Sequence, residues 1–166
     1  MENYIVINGR KAELTEEQLK ALGLERETKS PFKRLRQDGE IYYYIDEYGD
    51  IDFAEEHHNM PDDDFYKVAN YCTDSEILQQ QAYRETLNRL LWRYSMEHNG
   101  NEIDWNDINQ AKWCVFFNHK HNGFEPFEDK SFEHWGSVYF LTNSIARHAI
   151  REVIKPFMAE HPDFKF

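Results

Sequence analysis

Tyr71-Cys72-Thr73-Asp74-Ser75 and, at a constant offset of 69, Phe140-Leu141-Thr142-Asn143-Ser144 place the same transition twice in one chain. An apolar or aromatic run meets a threonine and then a polar pair. This pattern predicts a strand giving way to a helix, with the threonine as N-cap. Thr73 with Glu76 reads as a capping box. Behind it Leu87, Leu90, Leu91 and Tyr94 recur at helical spacing, the mark of one buried face, and His98-Asn99-Gly100 reads as the stop. Behind Thr142 the apolar positions are Ile145, Ala149, Ile150, Val153 and Ile154, with Pro156 expected to kink or end the helix.

Working outward, each junction follows a hairpin, an acidic loop and a short strand. In Ile41-Tyr42-Tyr43-Tyr44-Ile45 alternation puts Ile41, Tyr43 and Ile45 on one face. Glu47-Tyr48-Gly49-Asp50 turns the chain and Ile51 and Phe53 return. A loop over 55–64 and a third strand over 66–71 follow. In the second half Trp113–Phe117 and Phe124–Phe127 pair across 118–123, and a loop over 128–134 leads to a strand over 136–140. Ahead of both lie a hairpin turning at Asn8-Gly9, a Thr15–Gln18 capping box opening a short helix with Leu19 and Leu22, and a polar connector. The expectation is an α+β fold. An N-terminal hairpin, short helix and connector (1–37) precede two diverged hairpin–strand–helix repeats, 38–100 and 101–166, whose antiparallel sheets pack on helices around a shared core. The plainer alternative is that common capping chemistry makes the two junctions look alike.

A chain of 166 residues needs neither metal nor disulfide to fold. Its two cysteines, Cys72 and Cys114, form no framework and no CxxC pair, and read as small apolar residues in a reducing cytosol. Met1 to Asn8 has no signal-peptide pattern, and no apolar run approaches a membrane span.

The net charge of −12 is gathered in one place. Residues 38–64 hold eleven acids and neither Lys nor Arg, so the rest of the chain sums to −1. Such a face repels phosphates and argues against direct nucleic-acid binding; it favours a basic partner surface, a cation or simple solvation. Carboxylates on one face of a strand repeat about every 6–7 Å, close to the phosphate step of an extended nucleic-acid strand. Asp46, Asp50, Asp52, Glu55, Glu56, Asp62, Asp63 and Asp64 are expected to supply the charge, and Tyr44 and Tyr48 the aromatic anchors. A solvated face that only keeps the chain soluble is the bland counterpart.

Other chemistry is weaker. His57-His58 beside Asp62–Asp64, and His119 and His121 near His134, have the donor types for a transition metal but fall in turns, without HExxH or cysteine support. Asp62 with Glu128-Asp129-Lys130 only loosely resembles a metal-dependent nuclease set. Cys114 with His119 or His134 would be a nucleophile pair, but Cys114 lies in an apolar strand. No phosphate-cradling glycine loop or Gly-x-Ser-x-Gly is present. No catalytic residue, metal or cofactor is therefore expected.

The hairpin Tyr42–Asp46 with Gly49, then Val68-Ala69-Asn70-Tyr71 and Thr73, resembles small accessory proteins of phages and mobile elements of Gram-positive bacteria. So do the opening Ile7-Asn8-Gly9 with Leu14–Gln18 and the closing Val138-Tyr139-Phe140 with Ala149-Ile150. The resemblance implies a class rich in inhibitors of bacterial immunity, anti-CRISPR proteins among them, and transfers no catalytic residue. The expected function is a non-enzymatic inhibitor acting in the host bacterial cytosol on a basic, nucleic-acid-binding defence protein. The alternatives are a sequestering protein that holds a nucleotide signal among Trp105, Trp113, His119 and Trp135, and a metal-dependent hydrolase.

Overall fold

A computed structural model describes Tyr4–Ile7, Arg10–Glu13, Thr15, Gln18 and residues 30–165. The chain divides into two compact units, Met1–Lys33 and Arg34–Phe166. In the first, β1 (Tyr4–Ile7) pairs antiparallel with β2 (Arg10–Glu13), in register Tyr4 to Glu13. The Asn8-Gly9 turn and the helix residues Leu19 and Leu22 lie outside the described residues. The Thr15–Gln18 capping box is present: the Thr15 N–H donates to Gln18 Oε1 at 2.9 Å, and the Gln18 N–H donates to Thr15 Oγ1 at 3.3 Å.

The second unit has the expected α+β class. It is built from β3 (Ile41–Ile45), β4 (Ile51–Glu55), α1 (Met60–Lys67), α2 (Ser75–His98), β5 (Lys112–Asn118), β6 (Gly123–Asp129), α3 (Asn143–Ala149), a π-helical turn (Ile150–Ile154) and α4 (Lys155–Glu160). β3–β4 and β5–β6 are separate two-stranded antiparallel sheets. Tyr43 faces Phe53 and Tyr44 faces Asp52 in the first; Trp113 faces Glu128 and Phe117 faces Phe124 in the second. Two-stranded sheets are marginal alone, and each leans on helices: α2 on β3–β4, and α3 on β5–β6.

The third strands do not form. Over 55–64 the sequence reads as a loop, yet Met60–Lys67 is a helix, with Asn59 as N-cap, Pro61 in its first turn and Asp62 closing a capping box. It takes up the start of the expected strand over 66–71. What remains is one bridging residue per hairpin, Cys72 against Tyr43 and Phe140 against Trp113. Side-chain amides do the rest of the pairing. Asn70 both donates to and accepts from the backbone of Ile45, at 2.7 Å each way. Asn99 donates to the Tyr139 carbonyl at 3.1 Å and accepts from the Leu141 N–H at 3.1 Å.

The cap of α2 is Asp74, whose carboxylate accepts from the Glu76 and Ile77 N–H groups, not Thr73; Thr142 caps α3 as expected. In both halves the bridge thus stands two residues before the cap, 72 to 74 and 140 to 142, an offset of 68 and not 69. The likeness is one of element order; the connecting segments differ, since only the first contains a helix. Helix α2 ends at His98 with Gly100 at positive φ. The last helix does not end at Pro156. The π turn directly upstream loosens the ladder that proline would break, and α4 continues to Glu160.

The main core joins Leu87 of α2 to Ile150, Ile154, Phe157 and Phe164, with Val115 and Phe124 of the second hairpin against them. A second cluster holds Tyr94, Phe140, Ala146 and Ala149 against Trp113. Each large apolar side chain buried this way contributes about 1.5–3 kcal/mol. The first hairpin has an aromatic core instead. Tyr42 stacks on Tyr71 with ring centroids 4.1 Å apart, and Tyr44 on Phe65 at 4.3 Å. No helix among the described residues is long and apolar enough to cross a membrane.

Candidate functional site: an acidic hairpin on a buried ionic base

The acidic segment folds in two layers. The inner one is buried. Glu56 is fully inaccessible and Asp62 nearly so. Arg34 forks onto Glu56, its Nη2 at 3.1 Å from Oε1 and its Nε at 3.3 Å from Oε2, and its Nη1 bonds Asp63. Tyr71 Oη donates to Glu56 Oε2 at 2.8 Å, and the His58 N–H to Oε1 at 2.8 Å. Asp62 accepts from Tyr42 Oη at 2.9 Å and from the N–H groups of His57 at 2.8 Å and Asn59 at 3.1 Å. Arg34 also lies over the Tyr66 ring, 5.9 Å from its centroid.

This geometry keeps both buried carboxyls ionised. For Glu56 burial pushes the pKa up, but the hydrogen bonds from Arg34, Tyr71 and the His58 N–H bring it below the usual glutamate value. For Asp62 burial is likewise outweighed, first by the His57 and Asn59 N–H groups and then by Tyr42. Burial and then the neighbouring carboxylates push Tyr42 and Tyr71 well up, so both stay protonated donors.

Glu56 and Asp62 therefore do not belong to an outward face. Their carboxylates are consumed by the scaffold, and desolvated charges demand such partners. Asp63 is partly exposed and pairs with Arg34; Asp64 is exposed and lies 3.5 Å from Lys67. Asp46 holds the turn, its Oδ1 accepting from the Tyr48 N–H at 2.8 Å and the Asp50 N–H at 2.9 Å. Gly49 takes φ +91° there, with Thr86 of α2 close behind it. Asp52 is exposed. Its Oδ2 accepts from Tyr44 Oη at 3.0 Å, and its Oδ1 from the Phe53 N–H at 2.8 Å. The bond from Tyr44 Oη raises the Tyr44 pKa.

The outer layer is thus Glu47, Asp50, Asp52 and Glu55, with Tyr48 82% exposed at the tip. Tyr44 is half-buried against Phe65, so Tyr48 is the outward-facing ring of the two. Two exposed apolar neighbours escaped the sequence reading: Phe53, 61% exposed, and Ile41, 49% exposed, on the same strand face. Alternation puts Ile41 on a face with Tyr43 and Ile45 without saying that the face is open, and the pairing of Phe53 with Tyr43 adds Phe53 to it. His57 sits between Asp38 (3.1 Å) and Glu55 (3.6 Å), and the hydrogen bond to Asp38 raises its pKa.

The other candidate constellations are not assembled. No group of three or more His, Cys, Asp or Glu side chains among the described residues is placed to hold a metal ion. His119 and His121 lie in the β5–β6 turn, where His121 pairs with Glu125 at 2.7 Å and His119 packs on Phe117. His134 pairs with Asp129 instead of Cys114. Cys72 and Cys114 are buried, which pushes both thiols up and away from nucleophilic use. Asp62 faces Tyr42, while Glu128 and Asp129 end β6 in another sheet. Trp105, Trp113, His119 and Trp135 do not converge: Trp105 packs on Tyr139, Trp113 on the second core cluster, and Trp135 is fully exposed.

Fold and site together define an α+β chain that presents an ordered, acidic, aromatic hairpin over a buried ionic base. Comparison with known protein families, curated proteins and solved structures finds no match.

Proposed function

We propose that the hairpin over 41–55 is a docking surface for a basic protein, and that the chain is a non-enzymatic inhibitor encoded by a phage or mobile element. Its target in the host bacterial cytosol is a defence protein whose nucleic-acid-binding groove is lined with Lys and Arg, a CRISPR effector being the leading case. The observation that carries this reading is the placement of charge. Glu47, Asp50, Asp52 and Glu55 are exposed around Tyr48 and Phe53, while Arg34 is spent inside on Glu56 and Asp63 and the Arg89 guanidinium of α2 lies behind Gly49 at the tip. Carboxylates on a rigid hairpin meet Arg and Lys by charge-assisted bonds, and their summed field speeds association. Exposed aromatics beside them supply anchors of the kind that dominate interface energies.

The test is retention of partners from bacterial lysates carrying several defence systems, washed at low and then high salt. The variant is Asp50→Lys with Asp52→Lys and Glu55→Lys; Glu56 is left intact because it holds the fold. The reading expects one basic nucleic-acid-binding protein to be retained, to be lost as salt rises, and to be lost by the folded variant. Retention that the variant matches at both salts overturns it.

A further inference from the structure

Well away in sequence from the acidic hairpin, Trp92 and Met96 of α2 line an open cleft of about 490 Å³. Trp105, Tyr139, Glu97, Glu102 and Glu133 also line it. No Lys or Arg lines it. None of these three carboxylates has a hydrogen-bond or ion-pair partner among the described residues. Trp92 is 61% exposed and Met96 65%, a large apolar surface to leave in water on one helix face.

We propose that this cleft binds a guanidinium group, that of an arginine side chain carried by a partner protein. An indole face with carboxylates at its rim fits a planar, weakly hydrated cation, which stacks on the ring and takes charge-assisted bonds at its edge. The chain itself holds an arginine in this way: Arg34 lies over Tyr66 and forks onto Glu56. Trp105 already carries one cation, the buried Lys112 ammonium 5.3 Å from its centroid, which the carbonyls of Asp107 and Gln110 hold in place. The open aromatic face is therefore that of Trp92. The occupant is protein-borne because the cleft is open. Sites for free small molecules bury most of the ligand, whereas a side chain arriving on a larger surface brings its own cover.

The four tryptophans give four indole N–H signals in a proton–nitrogen correlation spectrum, assigned by Trp→Phe replacements. The probes are N-acetyl-arginine amide, its neutral isostere N-acetyl-citrulline amide, and free arginine. The proposal expects the capped arginine to move the Trp92 and Trp105 signals and to leave Trp113 and Trp135 in place. It expects citrulline to bind at least about tenfold more weakly. Glu97→Gln with Glu102→Gln and Glu133→Gln, exposed positions whose change leaves the spectrum dispersed, should weaken the capped arginine by a similar factor. Equal shifts with citrulline, shifts at all four indoles, or an unchanged response in the triple variant overturns the site. Tighter binding of free than of capped arginine overturns the protein-borne source. None of these readouts involves the acidic hairpin, so they stand or fall apart from the function proposed above.

Discussion

The side-chain amide of Asn70 donates to the carbonyl of Ile45 and accepts from its N–H, 2.7 Å in each direction, so one side chain stands in for a strand residue. Beside it Cys72 exchanges backbone bonds with Tyr43 at 2.7 and 3.0 Å. Between them these two residues close the outer edge of β3 at Tyr43 and Ile45. Gln80 does the same for the C-terminal tail, donating to the Asp163 carbonyl at 3.1 Å and accepting from the Lys165 N–H at 2.8 Å. Asn70→Ala should cost about 1–3 kcal/mol, because it strands a backbone donor and acceptor in a part-buried site. Urea unfolding of the variant against the parent protein measures the loss; Asn70→Asp, which keeps the acceptor and removes the donor, should not restore it.

The Arg34–Glu56 fork is the inner base of the acidic face. Arg34→Leu leaves the fully buried Glu56 carboxylate without its cation, and should destabilise by about 3–5 kcal/mol. Pairing it with Glu56→Leu should recover part of that loss, since a matched apolar pair avoids the stranded charge. Denaturant midpoints of the two single variants and the double form the cycle that decides.

The pH dependence has a defined sign. Glu56 and Asp62 have folded pKa values below their ordinary ones, so each contributes stability above the unfolded carboxylate range, near about 4. That contribution is lost as pH falls through their lower folded values. His57 runs the other way. Asp38 raises its pKa, so its pairing stabilises below about 6.5, the unfolded value, and fades as pH rises past the folded value. Melting temperatures across this range should fall steeply only on the acid side. A proton NMR titration should place His57 above ordinary histidine, and Asp38→Asn should return it toward that value.

Asp74→Ala should cost about 1 kcal/mol through loss of the α2 cap. Far-ultraviolet circular dichroism during unfolding reads it out.

The long helix was legible because Leu87, Leu90, Leu91 and Tyr94 repeat at a period that only a helix satisfies. The hairpins were legible from alternation and from Gly49. Helix α1 was hidden by Asp62-Asp63-Asp64, which read as a solvated run. The signal that could have found it was present: Asn59, Pro61 and Asp62 stand at the cap, first-turn and capping-box positions of a helix start. The division of the acids into buried and outward sets was not legible, because it depends on Arg34 arriving from 22 residues before Glu56. The edge of β4 shows the same limit. Asp52 reads as one more surface charge, yet its carboxylate covers the Phe53 N–H, a donor that would otherwise invite pairing with another strand.

Asn99 joins the end of α2 to Tyr139 and Leu141, and the residue after it is Gly100 at φ +73°. Asn-Gly is the dipeptide most open to deamidation, because glycine lets the following backbone nitrogen reach the side-chain carbonyl. The side chain that fastens the Tyr139–Leu141 segment to the end of α2 is therefore also a clock. While folded, the amide is held by its partners and shielded from attack. Each excursion to the open chain exposes it, and conversion to an acid places a carboxylate against the Tyr139 carbonyl that the amide once satisfied. Asn122, exposed in the β5–β6 turn ahead of Gly123, can age without any opening, whereas the Asn99 corner ages only as often as it opens.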